Sequence, residues 1–151
     1  MSTRSHQPVP SFEVPVRRAA RWVAIAFGVV ALAGFVPGLT ADVGRLQPAG
    51  WGSGALLFGV VRVSVVANLM HLVLAGAGLL AAQSAPTSRR YLVWGGTAYA
   101  ALSCYRLFID QLVDAGPVPG QGVGEWLPVA TGLAMVMTGL LTTAASARPG
   151  R

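Results

Sequence analysis

The chain has 151 residues, of which 54% are hydrophobic and 11% charged, and its formal net charge is +6. A mean hydropathy of +0.60 argues against an ordinary soluble domain, because such domains carry roughly 25% charged residues and a core of this size cannot bury so much apolar surface. All 11 basic residues are arginines placed at the ends of apolar segments, so the clustered basic patch of a nucleic-acid-binding protein is absent from the sequence.

The amino-terminal part predicts a tail followed by a first helix. Residues 1–21 are rich in proline and polar residues and end in arginines, which indicates a disordered cytoplasmic tail with a basic flank. Residues 22–39 carry no charge and are long enough to cross a bilayer. A cleaved signal peptide, with a weak site after Ala41, is the alternative. The run is longer than a signal h-region of about 7–15 residues, so we favour a retained helix.

Three further apolar segments follow, separated by loops. The first loop covers residues 40–54, and the short apolar run at 55–61 is expected to be interfacial or to lead into the next helix, with Arg62 interrupting it. The other predicted elements are helices at about 63–82, 91–109 and 125–145 and a cytoplasmic tail at 146–151.

The predicted fold is therefore an all-α, integral membrane four-helix bundle in the cell membrane. Both ends are expected in the cytoplasm, because most arginines then lie on the inner side of the bilayer. The predicted inner arginines are Arg4, Arg17, Arg18, Arg21, Arg89, Arg90, Arg148 and Arg151, and the outer ones are Arg45, Arg62 and Arg106. The two halves look alike, which suggests two repeated two-helix units.

Small residues recur at helical spacing. Gly34 and Gly38, Gly78 and Ala82, and Gly96 and Ala100 are each four residues apart. Such pairs allow helix backbones to approach closely in lipid. We expect them to pack the four helices together, with homodimerisation as the alternative.

The second helix carries a motif that resembles a known family. Its stretch Val63-Ser64-Val65-Val66-Ala67-Asn68-Leu69-Met70-His71 is similar to a Val-Asn-x-x-His-Asn-x-x-His pattern, matching at Asn68 and His71 and departing at Ser64 and Ala67. The fourth helix of that family often has Asn-Trp-Leu-His, where this chain has Glu125-Trp126-Leu127-Pro128. On these residues the chain, from 21 to about 145, resembles the four-helix membrane proteins of the family numbered 4383 among domains of unknown function. The resemblance implies the architecture and no particular activity.

Polar residues within or beside the helices are the candidate site. Asn68 and His71 are three residues apart and so share a helix face, with His71 about 12 Å beyond Val63 at 1.5 Å per residue. An ionisable group at such a depth is a candidate proton-sensitive site, or a donor to a lipid or quinone head group. The alternative is that both only make interhelical hydrogen bonds. The full candidate patch in the outer leaflet is Asn68, His71, Arg62, Arg106, Asp110 and Glu125; separate interface anchors are the alternative for the charged members.

The sequence favours a non-enzymatic structural or accessory membrane protein. No phosphate-binding loop, zinc-protease motif, nucleophile elbow or dinucleotide fingerprint occurs, so no catalytic residue, cofactor or metal is expected. The alternative function is a small carrier or sensor for protons, quinone or lipid, using the polar patch around His71. The expected partners are membrane lipids; other membrane proteins and a second copy of the chain are further candidates, and nucleic acid is not expected.

Overall fold

The computed structural model of the chain describes residues 13–48, 53–113 and 123–146, apart from the side chains at 13–14, 110–111, 113, 123, 125 and 143–146. These ranges form four long helical segments and a small sheet. The helices are α1 Glu13–Ala33, α2 Val65–Ala81, α3 Ala85–Arg90, a π-helical turn at Tyr91–Gly95, α4 Gly96–Val113 and α5 Val123–Ser146, and α3, the π turn and α4 are continuous. The described chain is mostly helical, which confirms the all-α prediction in its main part.

The first helix differs from its predicted bounds at both ends. It begins at Glu13, so the disordered tail predicted for 1–21 is wrong from that residue onward. Pro15 does not prevent this, because a proline is tolerated in the first turn, where its missing N–H has no helical partner. The helix ends at Ala33, well before residue 39, and the Thr40 hydroxyl donates to the Ala33 carbonyl oxygen at 3.0 Å.

A three-stranded antiparallel sheet lies between α1 and α2, where a loop and an interfacial segment were predicted. The strands are β1 Thr40–Ala41, β2 Leu56–Leu57 and β3 Val61–Arg62, in that order. The turn between β2 and β3 places both Phe58 (φ 51°) and Gly59 (φ 70°) in the left-handed region. Ser64 then caps α2, since its side chain accepts from the Ala67 N–H at 3.2 Å.

The helices pack as two antiparallel pairs. At one end of the bundle, the Arg17 Nε of α1 donates to the Ala82 carbonyl oxygen that follows α2, at 3.0 Å. At the other end, Gly34 beyond α1 faces Asn68 near the start of α2. We call the first the arginine end and the second, where β2 and β3 lie, the hairpin end. α4 and α5 form the other pair, and the idea that the two pairs are repeats of one unit stays a prediction.

Several predicted small residues lie at these helix contacts. A Cβ on Gly78 would be 2.7 Å from Ala24 and from the Tyr91 ring, and a Cβ on Gly96 would be 2.7 Å from the Gly132 carbonyl oxygen. The packing role predicted for Gly78 and Gly96 is confirmed. Gly38 has no such role, because it lies in a turn with φ 93° and nothing within 4 Å of a Cβ placed on it.

The core is small and the outer surface is apolar. Buried side chains between the helices include Phe27, Leu92, Tyr99 and Met135. Large apolar side chains are also exposed on every long helical segment, for example Trp22, Leu80, Trp94 and Leu141, each more than 60% exposed.

In the ranges that the structure describes, none of the helices has both the length and the apolar character required to traverse a membrane.

Candidate functional site

A cavity of about 560 Å³ lies between the helices at the hairpin end, and we call it the central cavity. One face of each long helical segment lines it. Lining positions recur at helical spacing: Val23, Ala26, Phe27 and Val30 on α1; Ala67, Met70 and His71 on α2; Tyr99, Ser103 and Arg106 on α4; Leu127, Pro128 and Thr131 on α5. The β2–β3 hairpin closes one side with Leu57, Phe58, Val61 and Arg62. Its volume lies within the range of about 300–1,000 Å³ typical of small-molecule sites.

His71 and Tyr99 form the polar centre of the cavity wall. The His71 Nε2 and the Tyr99 hydroxyl oxygen are 2.9 Å apart, which joins α2 to α4 by a hydrogen bond. Phe27 of α1 contacts both rings: it stacks on His71 at a centroid distance of 5.5 Å and meets Tyr99 edge-on at 5.0 Å. The imidazole is therefore held in one orientation by three helices.

The second nitrogen of the imidazole, Nδ1, has no hydrogen-bond partner in the part of the chain that the structure describes. His71 Nδ1 is buried and makes no hydrogen bond within the described chain. A buried polar atom without a partner is unfavourable by about 1–3 kcal/mol. His71 therefore has one nitrogen engaged by Tyr99 and one with unused hydrogen-bonding capacity, at the wall of a cavity that is otherwise mainly apolar.

Two arginines lie nearer the hairpin end of the cavity. Arg62 reaches it from β3 and Arg106 from α4, and both are half-buried. Arg106 is seven residues beyond Tyr99 on the same helix face, about 10 Å along the axis. Together with His71, these are the members of the predicted polar patch that the structure brings to one cavity.

Asn68 does not belong to this cavity, contrary to the prediction that it acts with His71. Its side chain is fully buried and lies directly against Gly34, where a Cβ would collide with the amide. Neither its Oδ1 nor its Nδ2 makes a hydrogen bond within the described residues, so the alternative of an interhelical hydrogen bond is met by His71 and not by Asn68. The reason is that Gly34 leaves room for the amide on the α1 side of α2.

The other two members of the predicted patch are placed only in part. Asp110 belongs to α4 and Glu125 to α5. Their side chains lie outside the described part of the chain, so the patch is described at four of its six residues.

Sequence reasoning missed Tyr99, Phe27 and Phe58. The first two were read as ordinary members of apolar helices, although the repeat of lining residues on α1 and α4 follows the i, i+3, i+4, i+7 spacing of an inner helix face. Phe58 is 67% exposed and yet lines the cavity, because the left-handed turn directs it to the cavity mouth. No sequence signal marks it, since a phenylalanine is uncommon at positive φ.

The cavity lining combines apolar walls with a few polar groups. Among the described residues no three histidine, cysteine, aspartate or glutamate side chains lie close enough to hold a metal ion. The cavity instead offers apolar walls, one histidine–tyrosine pair and two guanidinium groups, which is the pattern of a site that takes a mainly apolar molecule with a polar end.

The family assignment agrees with the motif around His71. The model of the family described as "Domain of unknown function (DUF4383)" matches residues 17–141, so the chain belongs to this family. The match includes every residue of the central cavity and all four long helical segments except the first turn of α1 and the last residues of α5. No curated protein and no solved structure matches the chain significantly.

Proposed function

We propose that the chain is a small, non-enzymatic protein of the cell membrane that binds an amphipathic molecule in the central cavity. The observation that carries the proposal is a largely apolar cavity of about 560 Å³ that has the hydrogen-bonded His71–Tyr99 pair in its wall. A ligand with an apolar body would fill the cavity, and a polar group on it would be oriented by the polar side chains of the lining.

The exposed apolar side chains support the proposal that this is a membrane protein. Large exposed apolar side chains occur on all the long helical segments, whereas soluble monomers rarely expose apolar patches larger than a few hundred Å². The arginines are at the ends of the segments. Helix α2 has 17 residues and no charge, and 17 is the lower end of the range of about 17–25 residues that span a hydrocarbon core.

The proposed orientation has both chain ends in the cytoplasm. The arginine end holds Arg17 beside Ala82, and Arg89 and Arg90 follow in α3, which packs on α1. Cytoplasmic segments carry the excess of arginine and lysine. The hairpin end, with the central cavity, would then face the outer leaflet.

The cavity favours binding over a purely structural or accessory role. A protein that acts only by packing against a partner gains nothing from a cavity, because empty apolar space forfeits dispersion contacts. The empty apolar space is accounted for if a ligand occupies the site, as a small carrier or sensor requires.

Native mass spectrometry of the protein extracted in mild detergent from its own membranes tests the proposal. Ala67 lines the cavity, so Ala67→Phe fills part of it, whereas Ala77 on the same helix is exposed and outside the cavity, so Ala77→Phe is the matched control. We expect wild type and Ala77→Phe to retain an additional small mass that Ala67→Phe loses. A bare chain in all three would refute the proposal, and a bound protein chain of defined mass would favour the accessory role.

A further inference from the structure

We infer that the ligand of the central cavity is a single-chain amphiphile drawn from the membrane, with an acidic carboxylate or phosphate head group bound by Arg62 and Arg106. This inference deepens the proposed function and rests on it. The two arginines indicate that the head group is anionic, and the size of the cavity indicates that the ligand has one alkyl chain.

The charge of the lining is of one sign. Arg62 of β3 and Arg106 of α4 both line the cavity, and no described lining residue is an aspartate or glutamate. The two arginines lie in different elements, so only the folding of the chain brings them to the same cavity. Each guanidinium has five N–H donors in a planar fork, so it can hold oxygens of a head group beside its contacts within the chain.

The backbone positions of the two arginines and of the histidine–tyrosine pair are separated along the bundle. At 1.5 Å per residue, Arg106 lies about 10 Å beyond Tyr99 along α4, and His71 lies about 9 Å beyond the start of α2, the helix that follows Arg62. Apolar side chains such as Met70 and Leu102 line the space between. A head group at the hairpin end therefore directs an alkyl chain toward the His71–Tyr99 pair.

Because the two arginines are partly buried, the sign of the charge on the head group strongly affects how well the ligand binds. Charge interactions strengthen as solvent is excluded, and both arginines are half-buried. A cationic head group would be repelled, and a neutral one, such as a quinone ring, would accept hydrogen bonds from the arginines without the attraction between opposite charges. An oxyanion gains charge-assisted and bidentate hydrogen bonds.

The size and the opening of the cavity point to one chain that enters from the side. A volume of about 560 Å³ suits a drug-sized molecule, so one alkyl chain fits inside the cavity and a two-chain phospholipid would extend beyond it. Leu102, Tyr105 and Leu127 line the cavity and are each more than 40% exposed on the outside of the helices. The cavity is therefore continuous with the apolar outer surface, which in a membrane is the surface that meets lipid.

Equilibrium binding to the full-length protein in uncharged detergent tests the inference. The probes are palmitate, hexadecanol, hexadecyltrimethylammonium, a two-chain phosphatidylglycerol, and acetate as a head group without a chain. We expect palmitate to bind at least about tenfold more tightly than hexadecanol, the size expected for one charge-assisted hydrogen bond or more. The cation, the two-chain lipid and acetate should bind more weakly than palmitate.

Arginine variants assign the preference to the two guanidinium groups. Arg62→Gln and Arg106→Gln should each remove most of the preference for palmitate over hexadecanol while leaving hexadecanol binding within about twofold. Arg90→Gln, at the exposed arginine end, is the matched control and should change neither.

The probe series separates failure of the inference from failure of the proposed function. Equal binding of palmitate and hexadecanol by wild type, with both lost in Ala67→Phe, would overturn the inference and leave the cavity as a binding site. Tighter binding of phosphatidylglycerol, or of acetate alone, would overturn the single-chain or the membrane-derived part respectively. No binding of any probe, together with a bare chain in native mass spectrometry, would overturn both. These wild-type comparisons do not depend on the folding of any variant.

Discussion

Replacement of Tyr99 by phenylalanine tests the polar centre of the cavity by removing a single oxygen atom. The change removes the hydroxyl that lies 2.9 Å from His71 Nε2 and keeps the ring that packs edge-on against Phe27. Tyr99 is 8% exposed, so the hydrogen bond is largely shielded from bulk solvent. Hydrogen bonds between helices in a membrane contribute about 0.6 kcal/mol on average and up to about 1.7 kcal/mol. Because the imidazole would keep neither partner, we expect a loss near the upper value, about 1–1.7 kcal/mol.

Thermal unfolding in mild detergent measures this effect. For a chain of this size a loss of 1 kcal/mol lowers Tm by about 2–4 °C. Tyr105→Phe is the matched control, because Tyr105 lies on the same helix and is 57% exposed, and it should leave Tm unchanged.

A double-mutant cycle then assigns the loss to the pair. In a His71→Ala background, Tyr99→Phe should have little effect, giving a coupling of about 1 kcal/mol between the two sites. Additive effects, or an unchanged Tm in the single Tyr99→Phe variant, would refute the reasoning that this hydrogen bond organises the site.

Three other changes test the packing, the turn and the orientation. Gly132→Ala should destabilise the protein by about 1–2 kcal/mol in thermal unfolding, because the new Cβ would lie 2.8 Å from the Gly96 carbonyl oxygen. The control is Gly76→Ala, whose Cβ would have nothing within 4 Å and which should stabilise the protein by about 0.5–1 kcal/mol. Equal effects of the two changes would contradict the α4–α5 contact. Phe58→Asn should raise the free energy of unfolding by about 0.5–1 kcal/mol, because asparagine tolerates a φ of 51° better than phenylalanine does. The same change should weaken ligand retention in native mass spectrometry. A fall in stability would show that the phenylalanine ring is needed for folding. Alkaline phosphatase fused after Arg151 should be inactive, because it would stay in the cytoplasm, and an active fusion would reverse the proposed orientation.

The helices could be predicted from the sequence because long apolar runs alternate with arginines and glycine- or proline-rich breaks. The start of α1 could not, since Pro15 and Arg17 read as features of a tail. A proline in the first turn is compatible with a helix, and Arg17 is held by the Ala82 carbonyl oxygen, a contact that is 65 residues distant in sequence. The hairpin was missed because its strands have only two residues each, too few for an alternating pattern to show.

The candidate site was predicted in its polar residues and missed in its aromatic ones. His71, Arg62 and Arg106 stood out because charged or ionisable groups in apolar segments are rare, and all three line the cavity. Asn68 was assigned to the same face from its spacing, but Gly34, just beyond the end of the neighbouring helix α1, decides where its amide lies. Tyr99 could not be singled out, because a tyrosine in an apolar helix becomes part of a site only when a partner from another helix meets its hydroxyl.

Photocrosslinking tests occupation of the central cavity most directly. Palmitate carrying a diazirine on its chain would be irradiated with the full-length protein in uncharged detergent, and the modified residues would be located by mass spectrometry. We predict modification at cavity residues such as Met70 and Leu102, suppressed by excess palmitate and lost in Ala67→Phe but not in Ala77→Phe. Modification spread over outward-facing residues such as Val73 and Leu80, unaffected by competitor or by Ala67→Phe, would contradict the account.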